Sequence, residues 1–268
     1  MNKKIYLSPP NIGEEEMSMV HDALKGNWIA PVGPDLSDFE NEIKEYLDVK
    51  YSCALSSGTA AIHMALKVLN IKKGDTVLCP TLTFVATVNP VIYENAIPVF
   101  IDVNNIDWTA DINALEEAIK LYKPKVFISV DLYGQPCNYD MIKQICEKYK
   151  IIMIEDAAEA LGSKYKSKKC GTLAHIGILS FNGNKIITTS GGGMLMSDNE
   201  EYVKKALFLA SQAREPFLHY EHKEIGYNYR LSNILASIGR AQLKKINSFE
   251  NKKRQIFRIY QEAFKEIE

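Results

Sequence analysis

Short apolar runs alternate with amphipathic stretches through the middle of the chain. The apolar runs are rich in Val, Ile, Leu or Phe and are bounded by Gly, Pro, Asp or Asn, which is typical of buried strands. They occupy residues 51–55, 76–80, 96–103, 124–132, 151–157, 176–182 and 193–198. Because these runs are nearly continuous rather than alternating, they predict a largely parallel sheet that is covered on both faces.

The stretches between the strands have the spacing of amphipathic helices. Helices are predicted at 59–69, 113–121 and 139–149, and two more, at 14–25 and 35–46, precede the first strand. From Leu231 onward, one helical pattern without an internal proline continues to the last residue. This order predicts an α/β fold with three αβα layers and a mostly parallel sheet, in which ligands bind at the carboxyl ends of the strands.

Composition excludes several classes of protein. With a net charge of −1, the chain lacks the excess of positive charge that is typical of nucleic-acid-binding proteins. No apolar run approaches the length that a membrane span needs. The five cysteines are widely spaced without a CxxC or CxxH pair, which argues against a metal site or a disulfide framework and for a reducing compartment. No signal peptide is visible, so a cytoplasmic protein is expected. All five arginines lie in the last fifth of the chain, so any bidentate anion clamp must come from that region or from another chain.

The segment SSGTAA (56–61) follows a predicted strand and opens a helix. Gly58 permits a close backbone approach, and Ser57 and Thr59 place hydroxyls beside the free amides of the first turn, which suits a phosphate group. The alternative interpretation is an ordinary capped helix.

The segment EDAAEALGS (155–163) begins where a predicted strand, IIMIE, ends, and it places two carboxylates, Asp156 and Glu159, at that point. A carboxylate at the end of a buried strand is costly unless it is paired, so Asp156 suggests a cationic partner. Glu159, three residues later, could reach a second atom of the same ligand. An N-cap aspartate followed by a solvated glutamate is the alternative.

The segment SFNGNKIITTSGGGML (180–195) places Lys185 in a loop between two strands, before three glycines. Such a lysine can form a Schiff base with an aldehyde, although most lysines in glycine-rich loops are simply solvated. A phosphate cradle, a strand-end aspartate and a loop lysine are the three anchors that pyridoxal phosphate needs. Phe84, just past another strand, could stack on its ring or be a core aromatic.

These segments, together with PTLTFVAT and GYNYRLSNILASIGRAQL, resemble the DegT/DnrJ/EryC1/StrS sugar aminotransferases, from about residue 5 to about residue 260. The resemblance implies the aspartate-aminotransferase fold (fold type I) and pyridoxal phosphate as the cofactor. It is closest to members that aminate UDP-4-keto-6-deoxy-N-acetylhexosamines. It therefore implies transfer of an amino group from glutamate to such a sugar, giving a 4-amino sugar nucleotide for surface glycan biosynthesis.

The resemblance implies a role for each motif residue. Lys185 would form the Schiff base, Asp156 would pair with the pyridinium nitrogen, and Glu159 would approach the 3-oxygen of the ring. The remaining cofactor contacts would come from Gly58, Thr59 and Ser180 at the phosphate, Phe84 on a ring face, and Ser57 between cofactor and substrate.

Two further implications concern substrate and subunits. The substrate site would be lined by Asn27, Trp28, Ile29 and Ala30. Asn228 would reach the cofactor phosphate of the other subunit, so the active sites would be shared within a homodimer.

The implied organisation is an N-terminal helical segment (1–50), a large cofactor-binding domain (51–230) and a long helix (231–268). The family continues beyond that helix into a small α/β domain, so the expectation is that this domain is largely absent here. The alternatives are amination at C3 or C4 of a dTDP- or GDP-linked keto sugar, and a truncated, non-catalytic protein that binds pyridoxal phosphate. The related dehydratases replace the lysine with histidine, so Lys185 argues against them. A Rossmann module is disfavoured because residues 191–193 lack GxGxxG spacing.

Overall fold

The computed structural model describes residues 4–267, so residues 1–3 and 268 of the predicted terminal segments lie outside the described residues. Nine strands occur in chain order: β1 (Tyr51–Leu55), β2 (Thr76–Pro80), β3 (Ile97–Ile101), β4 (Val126–Val130), β5 (Ile152–Asp156), β6 (Lys164–Tyr165), β7 (Lys168–Lys169), β8 (Ile176–Ser180) and β9 (Gly193–Ser197).

Seven of these strands form one sheet in the order β1-β9-β8-β5-β4-β2-β3, and β6 pairs with β7 in a separate hairpin. The pairs from β8 to β3 are all parallel, whereas β9 is antiparallel to both β8 and β1. Strand β9 is reversed because the loop 181–192 returns from β8 without a crossover helix. The predicted α/β class with a mostly parallel sheet is confirmed, and β9 is its one reversed strand.

Nine helices accompany the strands within the described part of the chain. They are α1 (Glu14–Lys25), α2 (Pro34–Leu47), α3 (Gly58–Val68), α4 (Asn89–Tyr93), α5 (Ile112–Tyr122), α6 (Tyr139–Tyr149), α7 (Glu200–Ala210), α8 (Asn233–Lys244) and α9 (Ile246–Ala263). The sequence pattern predicted α1, α2, α3, α5 and α6 but missed α4, α7 and the β6–β7 hairpin.

Polar side chains start several of these helices. Asp111, Asn138 and Asn199 accept hydrogen bonds from backbone amides in the first turns of α5, α6 and α7. Such capping satisfies amides that have no partner inside the helix. The same device, supplied by Ser57, begins α3 at the carboxyl edge of the sheet.

Two hydrophobic cores lie on the two faces of the sheet. One contains residues of α2, α5, α6 and α8 around Phe127 of β4, and the other contains residues of α3, α4 and α7 around Ile128 of the same strand. Because Phe39 of α2 belongs to the same core as Phe127, α2 and the sheet share one interior. The boundaries at residues 50 and 230 thus remain a proposed division.

The structure corrects the single long helix predicted from Leu231. It contains two helices, α8 and α9, which are separated at Lys245. The Lys245 ammonium group contacts both carboxylate oxygens of Glu16 in α1, at 2.8 and 2.9 Å. This long-range ion pair fixes the end of α8 against α1, and sequence periodicity does not report it.

None of the helices between residues 4 and 267 combines the length and the apolar character that a membrane span requires.

Candidate active site

The predicted cofactor residues meet in one cavity at the carboxyl edge of the sheet. The cavity has a volume of about 240 Å³ and is bounded by the starts and ends of several elements around β5 and β8. Of the residues predicted to hold the cofactor, all except Asn228 line it: Ser57, Gly58, Thr59, Phe84, Asp156, Glu159, Ser180 and Lys185.

The first turn of α3 forms one wall. The Ser57 hydroxyl accepts a hydrogen bond from the Ala60 amide at 3.0 Å and so fixes the start of the helix. The N-terminus of a helix carries partial positive charge and free amides, and no acidic side chain occupies this first turn. Together with the hydroxyls of Thr59 and Ser180, this wall has the chemistry of a phosphate site.

Glycines allow this wall to approach its neighbours. A Cβ atom on Gly193 would lie 2.4 Å from the carbonyl carbon of Ser57, and one on Gly58 would lie 3.1 Å from the Cβ of Ser180. Gly193 is therefore required where β9 begins against the start of α3. A Cβ on Gly191 would meet nothing closer than 3.9 Å, so the three glycines of the run are not equivalent.

Asp156 ends β5 and points into the cavity with only 6% of its surface exposed. Its carboxylate accepts hydrogen bonds from the Thr87 hydroxyl at 2.7 Å and from the Ala158 amide at 3.2 Å. Burial raises the pKa of Asp156, while these two hydrogen bonds and the charge of Lys185 act in the opposite direction. Within the described chain Asp156 makes no ion pair, so it is a buried acid that suits a cationic ligand.

Lys185 lies in the loop between β8 and β9. Its ammonium group donates to Glu159 at 3.0 Å, and its side chain is 15% exposed. The other oxygen of Glu159 accepts the Tyr133 amide at 2.9 Å. Tyr133 has a positive φ of 52°, which turns the chain so that this amide points at Glu159. The structure thus pairs the predicted amine with the predicted second carboxylate.

Phe84 precedes a short 3₁₀ turn (Val85–Thr87) and lines the cavity. It is 73% exposed, which excludes the alternative of a core aromatic. Its ring is available to cover a flat ligand.

Five predicted residues lie outside this cavity in the described chain. Asn228 is exposed, and its backbone forms an isolated bridge with Ser211. The predicted substrate segment, residues 27–30, is also exposed. Asn233 of α8 holds that segment in place by donating to the Trp28 carbonyl at 3.1 Å and to the Ala30 carbonyl at 2.9 Å.

Sequence reasoning missed two residues of the site. Thr87, the partner of Asp156, stands in a segment that gave no signal beyond Phe84. Asp131, which lines the cavity directly, follows β4 just as Asp156 ends the adjacent β5. The rule that ligands lie at the carboxyl ends of parallel strands could have found it.

Two of the other depressions in the described chain bear on this assignment. A groove of about 460 Å³ adjoins the cavity, shares Glu159, Asn184 and Lys185 with it, and extends to Lys253 and Arg254 of α9. A larger groove of about 910 Å³ lies between the end of α2 and the β6–β7 hairpin and contains none of the motif residues. The convergent chemistry, rather than size, assigns the site to the smaller cavity.

The arginines predicted as possible anion clamps are mostly occupied by carboxylates. Arg230 pairs with Glu40 at 2.7 Å, and Arg240 contacts Asp35 at 2.7 Å and Glu42 at 2.9 Å. These pairs tie α2 to α8 and to the segment that precedes it. Arg254, in the adjoining groove, pairs with Glu250 at 2.8 Å.

The residues present fit pyridoxal phosphate. The start of α3 offers donors to a phosphate, the buried Asp156 lacks a cation, and the Lys185 amine faces the same cavity. A volume of about 240 Å³ is small for a pocket that takes drug-sized ligands, which is roughly 300–1,000 Å³. The cavity accordingly suits a cofactor, with the adjoining groove left for a larger substrate.

The chain is similar to known aminotransferases that depend on pyridoxal phosphate. The profile of the DegT/DnrJ/EryC1/StrS aminotransferase family matches residues 10–268. The Bacillus subtilis protein EpsN, named as a pyridoxal phosphate-dependent aminotransferase, is 53% identical over 98% of this chain and 69% of its own length. GDP-perosamine synthase of Escherichia coli O157:H7 is 40% identical over 96% of this chain and 71% of its own length.

Two more distant proteins are also similar. A UDP-4-amino-4,6-dideoxy-N-acetyl-beta-L-altrosamine transaminase of Campylobacter jejuni is 37% identical over 97% of this chain and 69% of its own length. The structure of the sugar aminotransferase Spr1654 from Streptococcus pneumoniae, in its PLP form, superposes with a TM-score of 0.93 at 30% identity. That superposition covers 98% of this chain and 72% of the other.

Proposed function

Because this chain belongs to the DegT/DnrJ/EryC1/StrS family of pyridoxal phosphate-dependent sugar aminotransferases, we propose that it aminates a UDP-4-keto-6-deoxy-N-acetylhexosamine with glutamate as the donor. The product would be a 4-amino sugar nucleotide for surface glycan biosynthesis. The convergence of Lys185, Asp156 and the start of α3 on one cavity is the observation that supports this function most directly.

The predicted residues that line the cavity would have separate roles in holding the cofactor. Bound pyridoxal phosphate supplies a ring that accepts electrons while an amino group passes between an amino acid and a ketone. Asp156 would hold a proton on the ring nitrogen, because a buried carboxylate without a cation stabilises positive charge there. The start of α3, with Thr59 and Ser180, would hold the phosphate. Phe84 would cover a ring face and Ser57 would lie at the substrate side.

Lys185 would hold the aldehyde carbon of the cofactor and then move a proton at the reacting carbon of the substrate. Glu159 contacts the ammonium group at 3.0 Å, so it keeps the side chain directed into the cavity. A lysine that gives and takes a proton in this position acts as general acid and base. On cofactor binding, Glu159 would exchange this partner for the 3-oxygen of the ring.

We place the nucleotide sugar in the adjoining groove, which has a volume of about 460 Å³ and is open beside Lys185. Lys253 lies 3.5 Å from the Ser8 hydroxyl, which itself donates to the Asn184 carbonyl at 2.9 Å beside Lys185. Lys253 would place positive charge where a diphosphate could lie, beside the Arg254–Glu250 pair, while Lys185 would face the sugar. Residues 27–30 remain proposed substrate contacts, although they lie outside both cavities of the described chain.

The named relatives act on sugars that are linked to different nucleotides. The Campylobacter jejuni relative is named for a UDP-linked 4-amino sugar, and the Escherichia coli relative for GDP-perosamine. The higher identity of the second favours a GDP-linked 4-keto sugar as the alternative substrate. Both alternatives use the same three anchors for the cofactor.

The test is a transamination assay of the purified chain with added pyridoxal phosphate and glutamate. UDP-4-keto-6-deoxy-N-acetylglucosamine, GDP-4-keto-6-deoxymannose and a dTDP-linked keto sugar are compared as acceptors, and products are identified by mass spectrometry. We expect the highest kcat/KM with the UDP sugar and a rate at least about 10²-fold lower for Lys185→Ala. Lys166→Ala, an exposed lysine of the β6–β7 turn, is the matched control.

The outcomes separate the alternatives. Preference for the GDP sugar would replace the proposed substrate but retain the reaction. Cofactor binding at Lys185 without turnover of any acceptor would identify a non-catalytic protein. Equal turnover by Lys185→Ala would contradict the assignment of the lysine.

We further propose a homodimer in which Asn228 reaches the partner's phosphate site, and a cytoplasmic location. The exposure of Asn228 supports the first, because a residue that serves its own cavity would be expected to line it. The five free, buried cysteines support the second, since they are typical of reducing compartments.

A further inference from the structure

Two buried carboxyl groups have no assigned role in the proposed reaction: that of Asp131, which lines the cavity, and that of Glu155, which does not. Asp131 follows β4, and Glu155 is the residue before Asp156 in β5; both are 0% exposed. One oxygen of each, together with the Cys170 sulfur, lie within 4.8 Å of one another. Two carboxylates this close and this far from water cannot both ionise without a large cost in free energy.

The hydrogen bonds of the two carboxyl groups leave one carboxylate oxygen, Asp131 Oδ2, without a donor. Glu155 accepts the amide of Gly171 and, at 2.6 Å, the amide of Leu173. Asp131 Oδ1 accepts the Tyr139 hydroxyl at 2.8 Å and the Cys137 amide at 3.2 Å.

Asp131 Oδ2 is buried and has no hydrogen-bond partner among residues 4–267. The neutral Cys170 thiol faces Asp131 only as a weak donor. A proton shared with Glu155 would provide the strong donor that this oxygen lacks.

The titratable groups around the pair supply no positive charge. Cys137 and Tyr139 face it from the segment that enters α6, Cys170 faces it from the segment before β8, and Asp156 lies beside it in β5. Burial raises the pKa of Cys137, Tyr139 and Cys170, so these three stay neutral. Burial and the charge of Asp131 likewise raise the pKa of Glu155.

We propose that Asp131 and Glu155 share one proton and act as positioning residues for Asp156. The shared proton joins the end of β4 to the end of β5 and, through Glu155, to the turn at 171–173. Beside it, the Asp131 amide donates to the Asp156 carbonyl at 3.1 Å. Because the pair carries one negative charge instead of two, it opposes ionisation of Asp156 less than two carboxylates would.

A metal ion fits the cluster less well than a proton. Three donor atoms fall short of the four ligands of zinc and of the six or more oxygens of magnesium or calcium. Both oxygens of Glu155 already accept backbone amides. A proton shared by the pair needs only one free acceptor, and the unpaired oxygen of Asp131 provides it.

Infrared spectroscopy of the purified chain at pH 7 tests the proposal through the band of a protonated carboxyl group. We expect one such band per chain and its loss in Asp131→Asn. In that variant the amide of the new side chain would donate to an ionised Glu155, while its oxygen keeps Tyr139 and Cys137 as donors. The variant should therefore fold, and Glu155→Gln should also lack the band. Asp140→Asn, at an exposed carboxylate that pairs with Lys166, is the control and should retain it.

Urea unfolding from pH 6 to 9 gives a second readout. A group that binds its proton more tightly in the folded state makes the free energy of unfolding fall as the pH rises. The slope corresponds to the release of at most one proton on unfolding. We expect Asp131→Asn to lower this slope and Asp140→Asn to leave it unchanged. Absence of the band in the native protein, its persistence in both pair variants, or one tightly bound metal ion per chain would overturn the proposal.

Discussion

At the scale of the residue, Asp156 shows how burial and function oppose each other. Its carboxylate has two hydrogen-bond donors, from Thr87 and Ala158, and makes no ion pair within the described chain. Burial raises its pKa, so the folded protein ionises this group at a cost in stability. A cationic ring nitrogen would offset that cost, which gives the residue a reason to be both buried and acidic.

We therefore predict opposite effects of Asp156→Asn on stability and activity. The folded pKa is raised, so the stability of the native protein falls as the pH rises above the unfolded-state pKa of about 3.9. The neutral variant avoids this loss and should gain stability relative to the native protein between pH 4 and pH 7 in urea unfolding. Turnover should fall roughly 10²–10³-fold, because an amide cannot stabilise a protonated ring. Unchanged turnover at full cofactor occupancy would contradict the role of Asp156.

At the scale of the element, the start of α3 combines a structural cap with a phosphate site. Ser57 and Ser232 cap α3 and α8 in the same way, each accepting an amide three residues later. Only Ser57 lines the cavity. The two serines therefore form a matched pair that separates capping from ligand binding.

Replacement of either serine with alanine should cost about 1 kcal/mol of stability in urea unfolding, since each removes a cap. Ser57→Ala should also weaken pyridoxal phosphate binding about tenfold, because a frayed first turn no longer holds its amides towards the phosphate. Titration of the apoprotein with pyridoxal phosphate, followed by fluorescence, measures this. If Ser232→Ala weakens binding equally, the effect is one of general stability and the phosphate assignment fails.

At the scale of the whole molecule, the proposed dimer determines which chain completes each site. Mixing Lys185→Ala protomers with Asn228→Ala protomers distinguishes the two arrangements, provided each variant alone is impaired. If Asn228 serves the partner, every mixed dimer has one doubly damaged site and one intact site. Random exchange of equal amounts should then restore about a quarter of the native activity, because about half of the dimers are mixed.

The control for this experiment pairs Lys185→Ala with Asp156→Asn. These residues line the same cavity of one chain, so no mixed dimer regains an intact site. Verified subunit exchange without recovery in the Asn228 mixture would show that Asn228 acts within its own chain.

The sequence alone determined the class of fold and the cofactor motifs. Continuous apolar runs located the sheet strands because burial on both faces leaves no polar alternation, and each motif is local, with its residues next to a strand or helix end. Because these features depend only on residues that are close together in the chain, the sequence pattern is sufficient to predict them. The approach of Lys185 to Glu159 and the pairing of Thr87 with Asp156 depend on segments that are 26 and 69 residues apart.

Only the tertiary structure decided the features that depend on distant contacts. The break between α8 and α9 lies where Lys245 meets Glu16, 229 residues away, and periodicity cannot report such a pair. The reversed direction of β9 and the glycine required at its start depend on how the strand meets β1 and the start of α3. The unpaired oxygen of Asp131 is likewise visible only after every donor around it has been placed, because satisfaction of a buried polar atom is a property of the packed interior.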